Sequence, residues 1–141
     1  MSINTFVAQS QFELLTKRYS DFKVDLDPHP RTGDAAVSVN AAAVKRAVRS
    51  LLFTGKYERR FRPLIGSGLQ KYLFEPVATS TAEMIRESII TTLRNHEPRA
   101  LLVSVRVSVA ADLNSYEAVV KFGVRDTPEV VEVKQVLERV R

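Results

Sequence analysis

Alternation of valine with other residues over positions 101–109 limits the possible folds more than any other feature of this chain. Side chains two positions apart lie on the same face of a strand, so this spacing predicts a half-buried β-strand. A second alternating stretch, residues 116–125, follows the connection ADLNS, in which Asn114 can adopt a positive φ. We expect the two strands to pair antiparallel. The inward side chains of the first are predicted to be Val103, Val105, Val107 and Val109.

Two longer segments have helical periodicity. The first has Asn40 at its N-cap position and Gly55 just beyond its end. The second runs from Thr81 to about Asn95, with Thr79 or Ser80 as its cap, and a shorter helical turn precedes it at residues 69–74. The predicted buried stripes are Val44, Ala47, Val48, Leu51 and Leu52 in the first helix, and Ala82, Ile85, Ile89 and Leu93 in the second.

The remaining segments are less regular. Residues 1–20 are interpreted as an arm with a helical stretch from Gln11 to Arg18, and residues 21–141 as a single domain. Prolines and turn residues in SDFKVDLDPHPRTGD predict a connector without regular structure. The tail, residues 129–140, is ambiguous, since its apolar spacing slightly favours a helix and its β-branched residues favour a strand.

Composition restricts the class of protein. Hydrophobic residues make up 45% and charged residues 26%, which is typical of a folded domain. The chain has no cysteine, so disulfides and thiolate metal sites are excluded. The start of the chain lacks the pattern of a signal peptide, and no apolar run approaches the length of a membrane span. We expect a soluble protein that is not exported by a signal peptide.

The positive charge is concentrated in one segment. The chain has a net charge of +5, and residues 40–63 contain seven basic side chains against the single acid Glu58. The candidate basic contact surface comprises Lys45, Arg46, Arg49, Arg59, Arg60 and Arg62. Three interpretations stay open: a solvated face whose aromatics Phe53, Tyr57 and Phe61 close the core, a surface for an acidic protein, or a nucleic-acid site in which those aromatics stack on bases.

Catalytic patterns are weak. The chain has no GxSxG or HExxH motif, and its two histidines lie in separate segments. Glu75 and Glu97 each precede a proline at the end of an element, where we expect exposure and no apolar pocket that would raise the pKa of an acid catalyst. We therefore expect no enzyme, no cofactor and no metal, with a cell-wall hydrolase as the weakest alternative.

The segment RNHEPRA, residues 94–100, has two interpretations. It could be a helix stop with a surface ion pair between Glu97 and Arg99, worth about 0 to 1 kcal/mol. Alternatively, Pro98 stiffens the turn and presents the acid and the guanidinium to a partner. The residues alone favour the helix stop.

The order of these segments is distinctive. DLDPHP is followed by a capped helix, then RPLIGSGLQKYLFEP, an amphipathic helix ending in RNHEPRA, and alternating strands. From about Ser20 to Asp126 this order, and especially GSGLxxxLFEP followed by HEPR, resembles the baseplate wedge family of contractile tails. Its members are sheath initiators of contractile bacteriophages, with relatives in type VI secretion and other contractile injection systems.

The resemblance implies an α+β fold, in which a small mixed β-sheet is packed by two to three amphipathic helices, as in the handshake domain of a sheath subunit. It also implies that the tail is a strand, that the strand edges accept extended arms of tail sheath subunits, and that Glu97, Pro98 and Arg99 dock on the helical core bundle of the wedge proteins. The implied location is the virion tail baseplate, assembled in the bacterial host cytoplasm.

Under this interpretation the protein is structural and templates the first sheath ring. The arm at residues 1–20 would contact the tube or a neighbouring wedge, and the basic surface would face acidic neighbours. A nucleic-acid-binding accessory protein using residues 45–62 is the alternative function. An older lysozyme label in this family finds no support in the residues.

Overall fold

The computed structural model describes residues 18–23, 27–110, 114–125, 127 and 130–138. Its contacts divide the chain into two units, residues 1–43 and 44–141. The predicted division into an arm and a domain at residue 20 stays a prediction. The helical stretch expected from Gln11 lies outside the described residues except for Arg18, which is not helical.

The first unit contains a two-stranded antiparallel sheet. Strand β1 (Ser20–Phe22) pairs with β2 (Val37–Val39), and the Gly33 N–H donates to the His29 carbonyl oxygen in the turn between them (2.8 Å). The prediction of an irregular connector was therefore wrong at its start. All three residues of β1 are exposed, so backbone pairing defines this strand and no pattern of burial marks it in the sequence.

The first predicted helix is confirmed as α1 (Asn40–Phe53). The Asn40 side-chain oxygen accepts a hydrogen bond from the Arg18 N–H (2.9 Å). This oxygen therefore fixes the incoming chain just before the helix begins. The buried stripe is Val44, Val48, Leu51 and Leu52, and Ala47 is half-buried.

The helical turn and the second helix also form, as α2 (Leu69–Leu73) and α3 (Thr79–His96). The cap of α3 differs from the prediction, because Ala78 precedes the helix and no side chain caps it. The Ala78 N–H instead donates to the hydroxyl of buried Tyr116 (3.2 Å). This long-range contact could not be predicted from local spacing.

The predicted stripe of α3 is buried throughout: Ala82, Ile85, Ile89 and Leu93. None of the helices in the described ranges is long and apolar enough to span a bilayer.

The α+β class is confirmed, and the second unit contains a sheet of order β3-β4-β5. Its strands are β3 (Ala100–Ala110), β4 (Ser115–Val124) and β5 (Val130–Glu138). Both pairings are antiparallel, so the described sheet is not the mixed one we expected. Asn114 has φ 48° between β3 and β4, as predicted. The tail is a strand, as the family resemblance implied and against its slight helical period. Helix α3 lies against β3.

A bulge changes the face of one predicted core valine. Leu102 pairs with Phe122, but Ser104 pairs with Lys121, so the register shifts at Val103. Val103 is 65% exposed, whereas Val105 pairs with Val120 and is buried. The prediction that Val103 faces inward was wrong, because one extra residue in β3 reverses the alternation on one side of the bulge.

Candidate docking turn and basic surface

The segment Glu97–Ala100 forms a tight corner between α3 and β3. Glu97 ends the helix, and its N–H still donates to the Leu93 carbonyl oxygen (2.9 Å). The Ala100 N–H then donates to the Glu97 carbonyl oxygen (3.1 Å), which closes a four-residue turn. The Arg125 N–H donates to the Arg99 carbonyl oxygen (2.9 Å). The corner is thus tied to the helix before it, the strand after it and the end of β4.

Glu97 and Arg99 form a two-pronged ion pair across this turn. Arg99 Nε lies 2.6 Å from Glu97 Oε1, and Arg99 Nη2 lies 2.7 Å from Glu97 Oε2. Both carboxylate oxygens are therefore bound by one guanidinium in the parallel geometry that makes such pairs strong. We call residues Glu97, Pro98 and Arg99 the docking turn.

The members of the docking turn differ in exposure. Glu97 is 5% exposed, Pro98 is exposed, and the Arg99 side chain is 34% exposed. The expectation of an exposed Glu97 in a surface ion pair was therefore wrong. A carboxylate can be buried when a guanidinium neutralises it and binds both of its oxygens. Glu75, the other candidate carboxylate, is exposed as expected.

The candidate basic surface lies in two places of the second unit. Lys45, Arg46 and Arg49 are on α1, and Arg59, Arg60 and Arg62 are in the loop that follows it. All are exposed except Arg46, which is half-buried. Lys45 and Arg49 line a shallow cleft with Glu132, Val133 and Lys134 of β5. The structure thus brings the basic face of α1 beside charges of both signs.

The aromatic residues of the basic segment do not close the core. Phe53, Tyr57 and Phe61 are all exposed, which contradicts the interpretation in which they pack inward. The Arg49 guanidinium carbon lies 5.8 Å from the centre of the Phe53 ring, a separation at which the cation and the ring attract. Leu64 is also exposed, although no motif in the sequence marks it. Its position directly after Pro63, a turn-forming residue, was the available signal, and Leu64 lies in the turn that the Ile65 N–H closes by donating to the Arg62 carbonyl oxygen (3.1 Å).

Comparison with known proteins identifies the family to which a chain with this fold belongs. Residues 38–129 match the family model described as baseplate wedge protein gp25. This match covers more than half of the chain and includes both the docking turn and the basic segment. The chain therefore belongs to the baseplate wedge protein gp25 family, a family of structural proteins of contractile tails.

Individual relatives agree with this assignment. The chain is 29% identical over 121 residues to baseplate wedge protein gp25 of Enterobacteria phage T4, covering 84% of this chain and 89% of that protein. A crystal structure described as a candidate tail lysozyme of Geobacter sulfurreducens superimposes with a TM-score of 0.64 at 25% identity, covering 70% of this chain and 89% of that one. A chain of the anti-feeding prophage baseplate has a TM-score of 0.60 at 21% identity with 87% of each chain covered, which is a likeness of fold alone.

Proposed function

We propose that this chain is a structural component of a contractile-tail baseplate that attaches to the other wedge proteins through the docking turn. The ion pair between Glu97 and Arg99 is the observation that supports the attachment most directly. It holds Arg99 in one geometry beside the exposed Pro98, so little side-chain entropy is lost when a partner binds.

The three residues have different roles in this proposal. Pro98 and the exposed part of Arg99 contact the wedge proteins, and the helical core bundle is the expected partner. Glu97 is a positioning residue, because its buried carboxylate orients the guanidinium and cannot itself reach a partner. Arginine suits this role, since its planar fork keeps a fixed direction once one edge is bound.

The test must separate docking from folding, because removing either charge of the pair disturbs the turn. Pro98→Glu changes an exposed side chain and removes neither charge of the ion pair. Pro76→Glu is the matched control, since Pro76 is also exposed and also follows a glutamate at the end of an element. Both variants are co-purified with the wedge proteins of the same particle, and circular dichroism checks their folds.

We expect Pro98→Glu to lower recovery with the wedge proteins at least tenfold and Pro76→Glu to leave it unchanged. Equal recovery of both folded variants would show that the turn is only a helix stop.

The same proposal includes sheath initiation by strand addition. In the described sheet β4 is flanked on both sides, so β3 and β5 are its edges. Strand β3 contains the bulge at Val103, which interrupts a regular edge, whereas β5 pairs with β4 over nine residues without a register shift. The β5 edge therefore offers the longer regular row of backbone groups to an extended sheath arm.

Hydrogen exchange distinguishes the two edges. Adding purified sheath subunits should slow exchange of β5 amides at least tenfold and leave β3 amides unchanged. Slowed exchange in β3 alone would reverse the assignment, and unchanged exchange in both strands would contradict strand addition.

We also infer a structural rather than a hydrolytic role. A glycosidase needs a carboxylic acid free to protonate the leaving group, usually beside a second carboxylate. Both oxygens of Glu97 accept hydrogen bonds from Arg99, and Glu75 is exposed. The purified protein should release no soluble fragments from peptidoglycan, and release that stops with Glu75→Gln would revive the hydrolase alternative.

A further inference from the structure

The connection between α1 and α2, residues 54–68, is a closed loop with a hydrophobic tip among positive charges. We call it the arginine loop. Its base is joined by a hydrogen bond from the Ser67 N–H to the Thr54 carbonyl oxygen (2.7 Å) and one from the Ser67 hydroxyl to the Leu52 carbonyl oxygen (2.6 Å). Compact loops whose ends meet in this way are frequently functional.

Backbone contacts also order the tip of the arginine loop. The Tyr57 N–H donates to the Pro63 carbonyl oxygen (2.8 Å), and the Arg62 N–H donates to the Arg59 carbonyl oxygen (3.2 Å). Tyr57 has φ 71°, a strained conformation for a residue with a side chain, which persists only where the surrounding structure imposes it. The loop is thus preformed, and its ordering is not a cost of binding.

The tip exposes apolar side chains that the fold does not use. Phe61 is 98% exposed and Leu64 is 70% exposed, although both are large and hydrophobic. A fully exposed phenylalanine on an ordered loop gains free energy only when another surface covers it. Aromatic anchors of this kind, with arginine beside them, dominate the centres of protein interfaces.

The charge around this tip has one sign. Lys56, Arg59, Arg60 and Arg62 are all exposed. The only acid of the loop, Glu58, points its carboxylate back to the loop base, where it accepts hydrogen bonds from the Gly55 N–H (2.9 Å) and the Gln70 side chain (3.3 Å). Four exposed basic side chains thus stand against one exposed acid whose carboxylate is already hydrogen-bonded, and this excess is complementary to an acidic partner.

We propose that the arginine loop inserts Phe61 into an apolar pocket on an acidic surface of a neighbouring baseplate protein. This inference rests on the proposed baseplate function and adds a second attachment point, distinct from the docking turn. A protein fits better than nucleic acid, because Leu64 provides aliphatic surface that base stacking does not use. It also fits better than a membrane, because binding to a bilayer surface scales with the apolar area buried and the tip exposes only Phe61 and Leu64.

The experiment places the photo-crosslinking amino acid p-benzoylphenylalanine at position 61 of the full chain in assembled particles. The matched control carries it at position 74, since Phe74 is also an exposed phenylalanine but lies outside the loop. Position 61 should give one protein–protein product, which mass spectrometry maps to a site containing aspartate or glutamate. Position 74 should not give that product. Crosslinks from position 61 to nucleic acid or lipid, or no product at all, would overturn the proposal.

Two substitutions measure the energetic part of the proposal. Phe61→Ala and Arg60→Glu should each weaken binding to the crosslinked protein at least tenfold, while thermal unfolding stays unchanged because both side chains are exposed. Wild-type affinity of both variants would overturn the inference. If Pro98→Glu abolishes incorporation and these variants incorporate normally, only the arginine loop fails. If the wild-type chain is itself not incorporated into particles, both proposals fail.

Discussion

The carboxylate of Glu97 receives two parallel hydrogen bonds from Arg99, at 2.6 and 2.7 Å, although only two positions separate the residues. The intervening Pro98 has a fixed φ, which lets the turn bring both side chains to the same side. The pair therefore stabilises the corner between α3 and β3, and its side chains also form part of the surface of this corner. The proposed binding role thus falls on residues that also shape the corner, so their tests need variants that separate the two.

Loss of Arg99 should destabilise the protein more than loss of an exposed arginine. Arg99→Ala leaves the buried carboxylate of Glu97 without its hydrogen-bond donor. Because the Arg99 side chain is partly exposed, we expect the free energy of unfolding to fall by only about 1 to 3 kcal/mol. Arg86→Ala is the control, since Arg86 pairs with the exposed Glu83 and Glu87 and its loss should lower the free energy of unfolding much less. Urea unfolding measures both, and equal losses would contradict a structural role of the pair.

The bulge in β3 predicts unequal costs for two valines that look equivalent in the sequence. Val105→Ala should lower the free energy of unfolding by about 1.5 to 2.5 kcal/mol, because Val105 is buried opposite Val120. Val103→Ala should change it by less than about 0.5 kcal/mol, because Val103 is exposed at the bulge. Similar losses for both would mean that the strand is regular.

Closure of the arginine loop depends on Gly66. Its φ is 145°, and a Cβ there would lie 2.5 Å from the Gly55 carbonyl oxygen. Gly66→Ala should therefore lower the free energy of unfolding by about 2 to 3 kcal/mol, as measured by thermal unfolding. It should also destabilise the closed conformation of the loop. Gly123→Ala is the control of opposite sign, because a Cβ there meets nothing within 4 Å and alanine suits a strand better. If Gly123→Ala lowered the stability and Gly66→Ala did not, this account would be refuted.

Titration of Glu132 reports on the outer face of the sheet. The hydrogen bond from Lys121 and its positive charge lower the pKa of Glu132 below its ordinary value, with a smaller effect from Lys134. Lys121→Met should therefore raise the Glu132 pKa more than Lys134→Met does, as measured by NMR.

Because the pKa of Glu132 is lowered in the folded protein, ionised Glu132 stabilises the fold at pH values above the ordinary carboxylate pKa. This stabilisation is lost as the pH falls through the pKa that Glu132 has in the folded protein. The wild type should accordingly lose slightly more stability on acidification than Lys121→Met. The opposite order would show that the ion pair is absent in solution. Because the Glu132 side chain is about one third exposed, the effect is small and screened by salt.

Much of this protein was determined locally. The stripe of α3 from Ala82 to Leu93, the stripe of α1 and the positive φ of Asn114 follow from period and turn chemistry, because they depend on neighbours in the chain. The motif that indicated the family is also local. These features required no knowledge of what packs against them.

Tertiary structure decided the features that depend on distant partners. The tail became β5 because β4 offered it a ladder of nine pairs, which outweighed its helical period. Burial of Glu97 required the corner between α3 and β3, and exposure of Phe61 followed from closure of the arginine loop through Ser67 and Thr54. Spacing specifies which residues can share a face, but burial and ion pairing are set by which surfaces meet, and that information is not local in the sequence.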